Sequence, residues 1–289
     1  MTDRTRRLRA LLKEPGPLVV VEAYSAMTAR VVEQAGFNAV YCGGSALGGM
    51  HYGIPDHGLI TVTEMVEQAG RIANAVSIPL IADADQGGET SLNVRRTVQA
   101  FEEAGVSGIH IEDTVNPKHL YSGDHLQPVK EMCARIKAAV DARSDDDFLI
   151  IARSDEVFND GSLDEAIARG NAYADAGADA YMCLMASRTR RDVPTEDYLR
   201  IVAEVSIPFV DITVPVQRAT DVGIGIDIFT GPAVFAAAAR HRELVADVRD
   251  SGGSNWRNSL GLTWEEYTEL MQDEQWMPVA KAWQASQPS

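Results

Sequence analysis

The sequence places charged side chains directly after several short apolar segments. In chain order they are Asp83 and Asp85, Glu112 and Asp113, Arg153 and Asp155, and Asp211. Several carboxylates in one cavity repel one another and cannot all stay ionised without a neutralising cation. Ligands that offer only oxygen suit Mg²⁺ or Mn²⁺. A single aspartate in such a place more often caps a helix or pairs with an arginine, but the combined pattern favours a divalent-metal site.

The elements that would gather these residues alternate regularly along the chain. Segments of strand length are predicted at 18–21, 39–41, 80–85, 109–112, 148–153, 180–184, 209–211 and 224–229. Stretches with apolar residues three and four apart predict helices at 25–35, 63–75, 91–104, 130–143, 162–176, 195–204, 215–222 and 233–248. Eight alternating units predict an α/β fold, a (β/α)₈ TIM barrel, whose strand ends converge on one face. An open doubly wound sheet is the rival, but no glycine-rich phosphate turn follows the first strand.

Two further segments need a place in this fold. The glycine-rich stretch Tyr41–Gly49 has N–H groups that can hold an oxyanion, although taken alone it favours a flexible loop without a ligand. Residues 250–289 contain all four tryptophans, and Thr263 with Glu266 predicts a capping box for a helix over 264–273. We therefore predict a barrel domain over 1–249 and a C-terminal helical extension over 250–289. That extension packs either on its own barrel or on a neighbouring subunit.

Composition limits the binding partners and the cellular compartment that we expect for this protein. The 289 residues carry a net charge of −16, which disfavours nucleic acid and anionic membranes. The three cysteines lack metal-ligand spacing and predict a reducing compartment. The charged N-terminus does not resemble a secretory signal, and no run of 18 apolar residues predicts a membrane span. We expect a cytoplasmic protein.

Four strings of the sequence resemble motifs of the isocitrate lyase / phosphoenolpyruvate mutase superfamily. They are YCGGSALGGMHYGIPDHG, DADQGG, GIHIEDTVNPK and FLIIARSDE, and their order and spacing match over residues 5 to 250. Members of that superfamily are Mg²⁺-dependent (β/α)₈ barrels that make or break C–C or P–C bonds beside a carboxylate through enolate-like species. Most are tetramers that exchange a C-terminal helix. The resemblance thus implies a Mg²⁺ (or Mn²⁺) cofactor, a small keto- or hydroxy-acid substrate and a homotetramer.

The resemblance also implies roles for matching residues. The metal group would be Asp85 as principal ligand, with Asp83, Glu112 and Asp56 holding metal-bound waters. The substrate group would be Tyr41, Gly43, Gly44, Ser45, Asp56 and Arg153. Lys118 matches a lysine on the family's mobile lid, which we place at residues 116–129.

The lid departs from the family pattern at the position of its proton donor. Leu120 stands where the lyases carry a catalytic cysteine, so His119, Tyr121 and His125 become candidate acids, each equally readable as a solvated loop residue. Strand six ends without the lyases' glutamate, Gly88 replaces an aromatic, and Pro232 replaces the histidine of the oxaloacetate decarboxylase branch.

These features predict a carbon–carbon lyase, with oxaloacetate decarboxylation as the first hypothesis. Retro-aldol cleavage with a non-cysteine acid, as in methylisocitrate lyase, is the alternative. P–C bond chemistry, as in phosphonopyruvate hydrolase or mutase, and a non-catalytic barrel that binds a diacid also remain open. A lysine Schiff base is disfavoured because no predicted strand end carries a lysine.

Overall fold

The computed structural model describes residues 3–120, 126–187, 189–254 and 261–285. Eight strands form a closed parallel barrel in chain order, in which the first also pairs with the last. They are β1 Leu18–Glu22, β2 Val40–Cys42, β3 Leu80–Asp83, β4 Gly108–Glu112, β5 Leu149–Ser154, β6 Ala180–Cys183, β7 Phe209–Ile212 and β8 Ile226–Phe229. The predicted TIM barrel is confirmed, and the predicted strand ends agree within two residues.

Helices alternate with the strands along the chain. They are α1 Asp3–Leu11, α2 Ala26–Gln34, α3 Gly44–Leu47, α4 Val62–Ala75, α5 Ser91–Glu103, α6 Val129–Ala142, α7 Leu163–Asp175, α8 Thr195–Glu204, α9 Val216–Val222, α10 Pro232–Ser251, α11 Trp264–Leu270 and α12 Trp276–Ala285. Side chains fix several of their starts: Ser25, Thr61, Thr90 and Ser162 each accept a hydrogen bond from the backbone N–H three residues on.

Two apolar cores result from strand alternation. Side chains such as Val20, Ile81 and Ile151 fill the barrel interior, whereas their neighbours along each strand pack against the helices. Helix α1, which the periodicity did not predict, closes the amino-terminal end of the barrel. Its Leu8 is fully buried with the interior residues, and Arg9 donates to the backbone carbonyls of residues 146–148.

The expectation of a flexible loop at Tyr41–Gly49 is wrong. The chain leaves β2 directly into α3 and then into a π-helical turn at Gly48–Tyr52. A side chain on Gly44 would place its Cβ 3.1 Å from both Asp83 Oδ2 and Met65 Cε. The glycine therefore lets a helical turn pack tightly on β3, which composition alone does not reveal.

Two predicted elements end two or three residues earlier than expected. The third strand stops at Asp83 rather than Asp85, because Asp85 has a left-handed backbone with φ 46°. The helix predicted over 264–273 begins at Trp264 behind the expected capping box but ends at Leu270. Gln272, with φ 59°, breaks it before a 3₁₀ turn at Asp273–Gln275.

The chain divides into two compact units, residues 1–232 and 233–289. The first contains the complete barrel, and the second contains most of α10 together with α11 and α12. The predicted boundary at 249/250 falls near the end of α10. Across the described ranges, every helix is too short or too polar to cross a membrane.

Candidate active site

Polar side chains fill the carboxyl-terminal mouth of the barrel along its first five strands. The inward residues there are Glu22, Tyr41, Asp83, His110, Glu112 and Arg153, and each is less than a tenth exposed. They continue the inward faces of their strands, as Arg153 does two residues after Ile151. The predicted gathering at one face is present for Asp83, Glu112 and Arg153, whereas Asp113 and Asp211 face the helix layer and accept the hydroxyls of Tyr173 and Tyr198.

A single buried ammonium lies at the centre of the carboxylates. Lys118 Nζ lies 2.5 Å from Asp85 Oδ1 and 3.2 Å from both Glu112 Oε1 and Asp56 Oδ1. Burial alone would lower the pKa of Lys118, but Glu112, Asp85, Asp83 and Asp56 raise it well above its usual range. The lid lysine is therefore a fixed positive charge that reaches the site from a loop rather than from a strand.

Asp83 and Asp85 reach the site by different routes. Asp83 is the last residue of β3; its carboxylate accepts the Asp85 N–H at 2.9 Å and the Gly44 N–H at 3.0 Å. Asp85 lies beyond the strand, so strand alternation does not explain its direction. Burial raises the pKa of Asp85 to about 7, helped by the negative charge of Asp83. Two carboxylates this close favour a cation between or beside them.

His110 is a site residue that the sequence reasoning missed. Its Nε2 lies 2.8 Å from the Tyr41 hydroxyl and its Nδ1 lies 3.6 Å from Asp83 Oδ1. Burial lowers the pKa of His110, which favours the neutral ring. The available signal was its position two residues before Glu112, on the same inward face of β4.

Three of these residues could hold a metal ion. Asp83, His110 and Glu112 offer ligand atoms that all lie within 4.8 Å of one another. Within the described chain, the buried His110 Nδ1 has no hydrogen-bond partner, as expected of an atom that awaits a ligand. The donor set fits a divalent ion and contains two of the three predicted ligands, but the imidazole of His110 adds a nitrogen donor to the oxygen-only set expected from the sequence. The third, Asp85, lies outside this set and contacts the Lys118 ammonium, as Glu112 also does.

Arg153 is the second fixed cation of the mouth. Its Nε and Nη2 donate to the two oxygens of Asp155 at 2.7 and 3.0 Å, and its Nη1 lies 3.0 Å from Glu112 Oε2. Burial would lower the pKa of Arg153, but Asp155 and Glu112 raise it well above its usual range. A guanidinium has five N–H donors, so the group keeps donors for a ligand carboxylate.

The lid histidine does not point a free nitrogen at this site. His119 Nε2 lies 3.1 Å from Asp155 Oδ2 and its Nδ1 lies 3.6 Å from Asp56 Oδ2, while its ring meets Phe158 edge-on. Burial would lower the pKa of His119, but the two carboxylates raise it to about 9. His119 therefore ties its own position of the lid to Asp56 and Asp155. The other candidate acids, Tyr121 and His125, lie outside the described residues.

Of the remaining predicted substrate residues, Gly43 packs against a second missed group, Glu22. A side chain on Gly43 would place its Cβ 2.8 Å from Glu22 Oε1. Glu22 also accepts the Thr230 hydroxyl at 2.5 Å and the Gly231 N–H at 2.9 Å, which ties β1 to the end of β8. Ser45 is exposed at the start of α3, so it stands apart from the buried group.

Known proteins with similar sequences and folds make a consistent set. Residues 8–248 match the family described as phosphoenolpyruvate phosphomutase. The chain is 46% identical to 2,3-dimethylmalate lyase of Eubacterium barkeri over 176 residues, which span 60% of each protein and hence less than two thirds of that relative. It is 34% identical to a probable 2-methylisocitrate lyase of Corynebacterium glutamicum over 262 residues, or 87% of this chain and 82% of the other.

A solved structure supports the same relationship. A phosphonopyruvate hydrolase in complex with oxalate and Mg²⁺ superposes with a TM-score of 0.85 at 31% identity, covering 96% of this chain and 98% of that one. Lyases, mutases and hydrolases are therefore all similar to this chain. The superfamily resemblance predicted from the motifs is confirmed.

Proposed function

The chain belongs to the phosphoenolpyruvate phosphomutase / isocitrate lyase superfamily, and on that premise we propose that it is a Mg²⁺-dependent carbon–carbon lyase. Its substrate would be a small 2-oxo or 2-hydroxy dicarboxylate. The observation that carries the proposal is the set of three carboxylates, from Asp56, Asp85 and Glu112, within 3.2 Å of one buried cation. Such a cluster is stable only around positive charge.

Each group of the mouth has a task in this reaction. Asp83, Asp85, His110 and Glu112 would hold the metal, directly or through water. A bound Mg²⁺ would act as a Lewis acid toward the oxygen on C2 of the substrate. Arg153 would bind a substrate carboxylate with its remaining N–H donors, and Tyr41 would contact the same end of the molecule. The lid segment at Lys118 and His119 would help to exclude water from the carbanionic product until that product takes up a proton.

Oxaloacetate decarboxylation is the simplest reaction of this class. The C3–C4 bond breaks, CO₂ leaves, and C3 takes a proton to give pyruvate. This step needs stabilisation of an enolate and no strongly placed acid, which agrees with the absence of a cysteine at Leu120.

Retro-aldol cleavage of a branched malate is favoured by a different observation. Here the C2 hydroxyl loses its proton, the C2–C3 bond breaks, and C3 takes a proton, leaving a 2-oxo acid and a carboxylic acid. The described part of the lid brings a buried N–H donor to Asp85 and Glu112, the Lys118 ammonium, which is 1% exposed. Similarity to 2,3-dimethylmalate lyase supports the same alternative.

A substrate panel separates these reactions. Purified protein with Mg²⁺ would be given oxaloacetate, malate, 2,3-dimethylmalate and 2-methylisocitrate, followed by assays for 2-oxo acid and for CO₂ above the uncatalysed rate. Pyruvate with CO₂ from oxaloacetate supports decarboxylation, and 2-oxo acid without CO₂ from a hydroxy acid supports retro-aldol cleavage. Oxalate binding without turnover of any C4–C7 acid would contradict the lyase proposal and favour a diacid-binding barrel.

We also propose that the second unit mediates homotetramer formation. Trp264, Trp276 and Trp283 are each about two-thirds exposed or more in the single chain. Tryptophans of this exposure commonly mark protein interfaces. Light scattering of the wild type and of Trp276→Ala would test this, because a monomeric wild-type protein would contradict it.

A further inference from the structure

The inward face of the barrel changes from charged to apolar between β5 and β6. The inward residues of the last three strands and their ends are Met182, Leu184, Val210, Ile212, Ile226 and Ile228. These strands do carry carboxylates, but Asp211 and Asp227 face the helix layer, where Tyr198 donates to Asp211 at 2.7 Å. The mouth is therefore lined by charge on one side and by hydrocarbon on the other.

Four residues form what we call the apolar wall: Phe158, Met182, Leu184 and Ile212. Met182 is the register partner of Arg153, and Leu184 lies two residues nearer the mouth. Phe158 and Ile212 pack against the same interior cluster as Leu184, yet both are only partly buried. The Phe158 ring centroid lies 5.3 Å from that of His119, so the wall extends from Arg153 to the lid.

The wall limits which substrate groups can lie against it. A ligand with one carboxylate on Arg153 would have part of its carbon chain beside the wall, because Met182 is the register partner of Arg153 on the neighbouring strand. A charged or hydroxyl group there would lose its hydration without gaining a partner, which is costly. An alkyl group there would instead gain from removal of its surface from water.

We propose that the apolar wall selects dicarboxylates that carry methyl or similar alkyl branches on the carbons between their two carboxyl groups. This inference rests on the proposed lyase function for the orientation of the substrate. It identifies Leu184 and Ile212 as specificity-determining residues, and it ranks branched acids above their unbranched counterparts.

Binding of unreactive analogues tests the wall without catalysis. Calorimetry of the Mg²⁺-loaded protein would compare succinate with 2,3-dimethylsuccinate. Since one methylene in an apolar pocket is worth about 10- to 200-fold in discrimination, we expect the dimethyl compound to bind at least about tenfold more tightly. Equal affinities, or failure of both compounds to bind, would overturn the inference.

Substitutions in the apolar wall test whether its residues cause the preference for the branched compound. Leu184→Asn and, independently, Ile212→Thr should each reduce the preference to a few-fold, whereas Leu184→Met should keep it. Leu199→Asn, at a half-exposed leucine of α8, is the matched control and should change nothing. Thermal melting would verify that each variant folds. A preference that survives in every folded variant would also overturn the inference.

Turnover of malate and 2,3-dimethylmalate separates this inference from the function on which it rests. Preferential binding of the branched analogue without turnover of any acid would contradict the lyase proposal and leave the wall's selectivity standing. Turnover with no preference for the branched acid would contradict the wall's role and leave the lyase proposal standing.

Discussion

The two halves of the barrel mouth use the same backbone geometry for opposite chemistry. Strands β1 to β5 end in buried acids, a histidine and an arginine, whereas β6 to β8 present methionine, leucine and isoleucine at equivalent inward positions. Even when paired, buried charges contribute little to stability, so the charged half indicates a binding or catalytic role rather than a structural one. The apolar half stabilises the fold and shapes the remainder of the cavity. The comparison separates residues that would carry the reaction from residues that would select its substrate.

Neutralising Glu112 should damage the charged half most. Glu112 contacts both Lys118 and Arg153, and Glu112→Gln keeps its size but removes the charge that both cations share. We expect kcat/KM to fall by about 100- to 1,000-fold, the usual cost of losing one preorganised electrostatic group. Steady-state kinetics on the best substrate of the panel measure it. Glu131→Gln, at an exposed side chain of α6, is the control and should keep wild-type activity. Activity of Glu112→Gln within tenfold of wild type would refute the prediction.

Asp211, on the helix-facing side of β7, should make the free energy of unfolding depend on pH. Burial raises the pKa of Asp211 from 3.8 to about 7 in the folded protein. Because the pKa of Asp211 is higher in the folded protein, the folded state keeps its proton where the unfolded state has lost it. The free energy of unfolding therefore falls as the pH rises toward 7. The loss is about 1.4 kcal/mol per pH unit within that range.

Urea unfolding of Asp211→Asn between pH 5 and pH 8 measures this contribution. The variant should lose less stability than the wild type as pH rises, because its amide cannot ionise. Asp221→Asn, at an exposed position of α9, should follow the wild-type pH dependence. Parallel curves for wild type and Asp211→Asn would show that Asp211 is ionised throughout.

Removing the Lys118 ammonium should change the affinity of the charged half for a metal ion. The Lys118 ammonium and a divalent ion compete for oxygens of Asp85 and Glu112. Lys118→Met should therefore bind Mn²⁺ more tightly by about tenfold, or about 1.4 kcal/mol. Calorimetric titration measures this, with Lys137→Met on the exposed face of α6 as the control. Weaker binding by Lys118→Met would mean that Lys118 supports the metal site rather than competing with it.

Most of the fold could be predicted from the sequence because its signals are local. Apolar runs and helical periodicity gave all eight strands, and short polar caps such as Thr61 mark where helices start. Local signals failed where distant parts decide the structure. Gly44 forms a helical turn because it packs on Asp83 and Met65, and the periodicity of residues 41–52 does not record that contact.

The charged half of the site could be predicted by residue type, but its geometry could not. Motifs identified Asp83, Glu112 and Arg153 without showing which groups touch. His110 enters the cluster because the register of β2, β3 and β4 brings it between Tyr41 and Asp83. Glu22 meets Thr230 only because the barrel closes, joining residues 208 positions apart. Such contacts depend on the complete barrel and leave no pattern in either segment.

Metal-dependent turnover by the wild type and by Asp85→Ala tests the central claim most directly. Release of 2-oxo acid from the preferred substrate would be followed after treatment with EDTA and again after Mg²⁺ is restored. We predict that EDTA abolishes release from the wild type, that Mg²⁺ restores it, and that Asp85→Ala stays inactive in both conditions while remaining folded. Undiminished release in EDTA, or wild-type rates from Asp85→Ala, would contradict a reaction that depends on a metal held by the acidic half of the mouth.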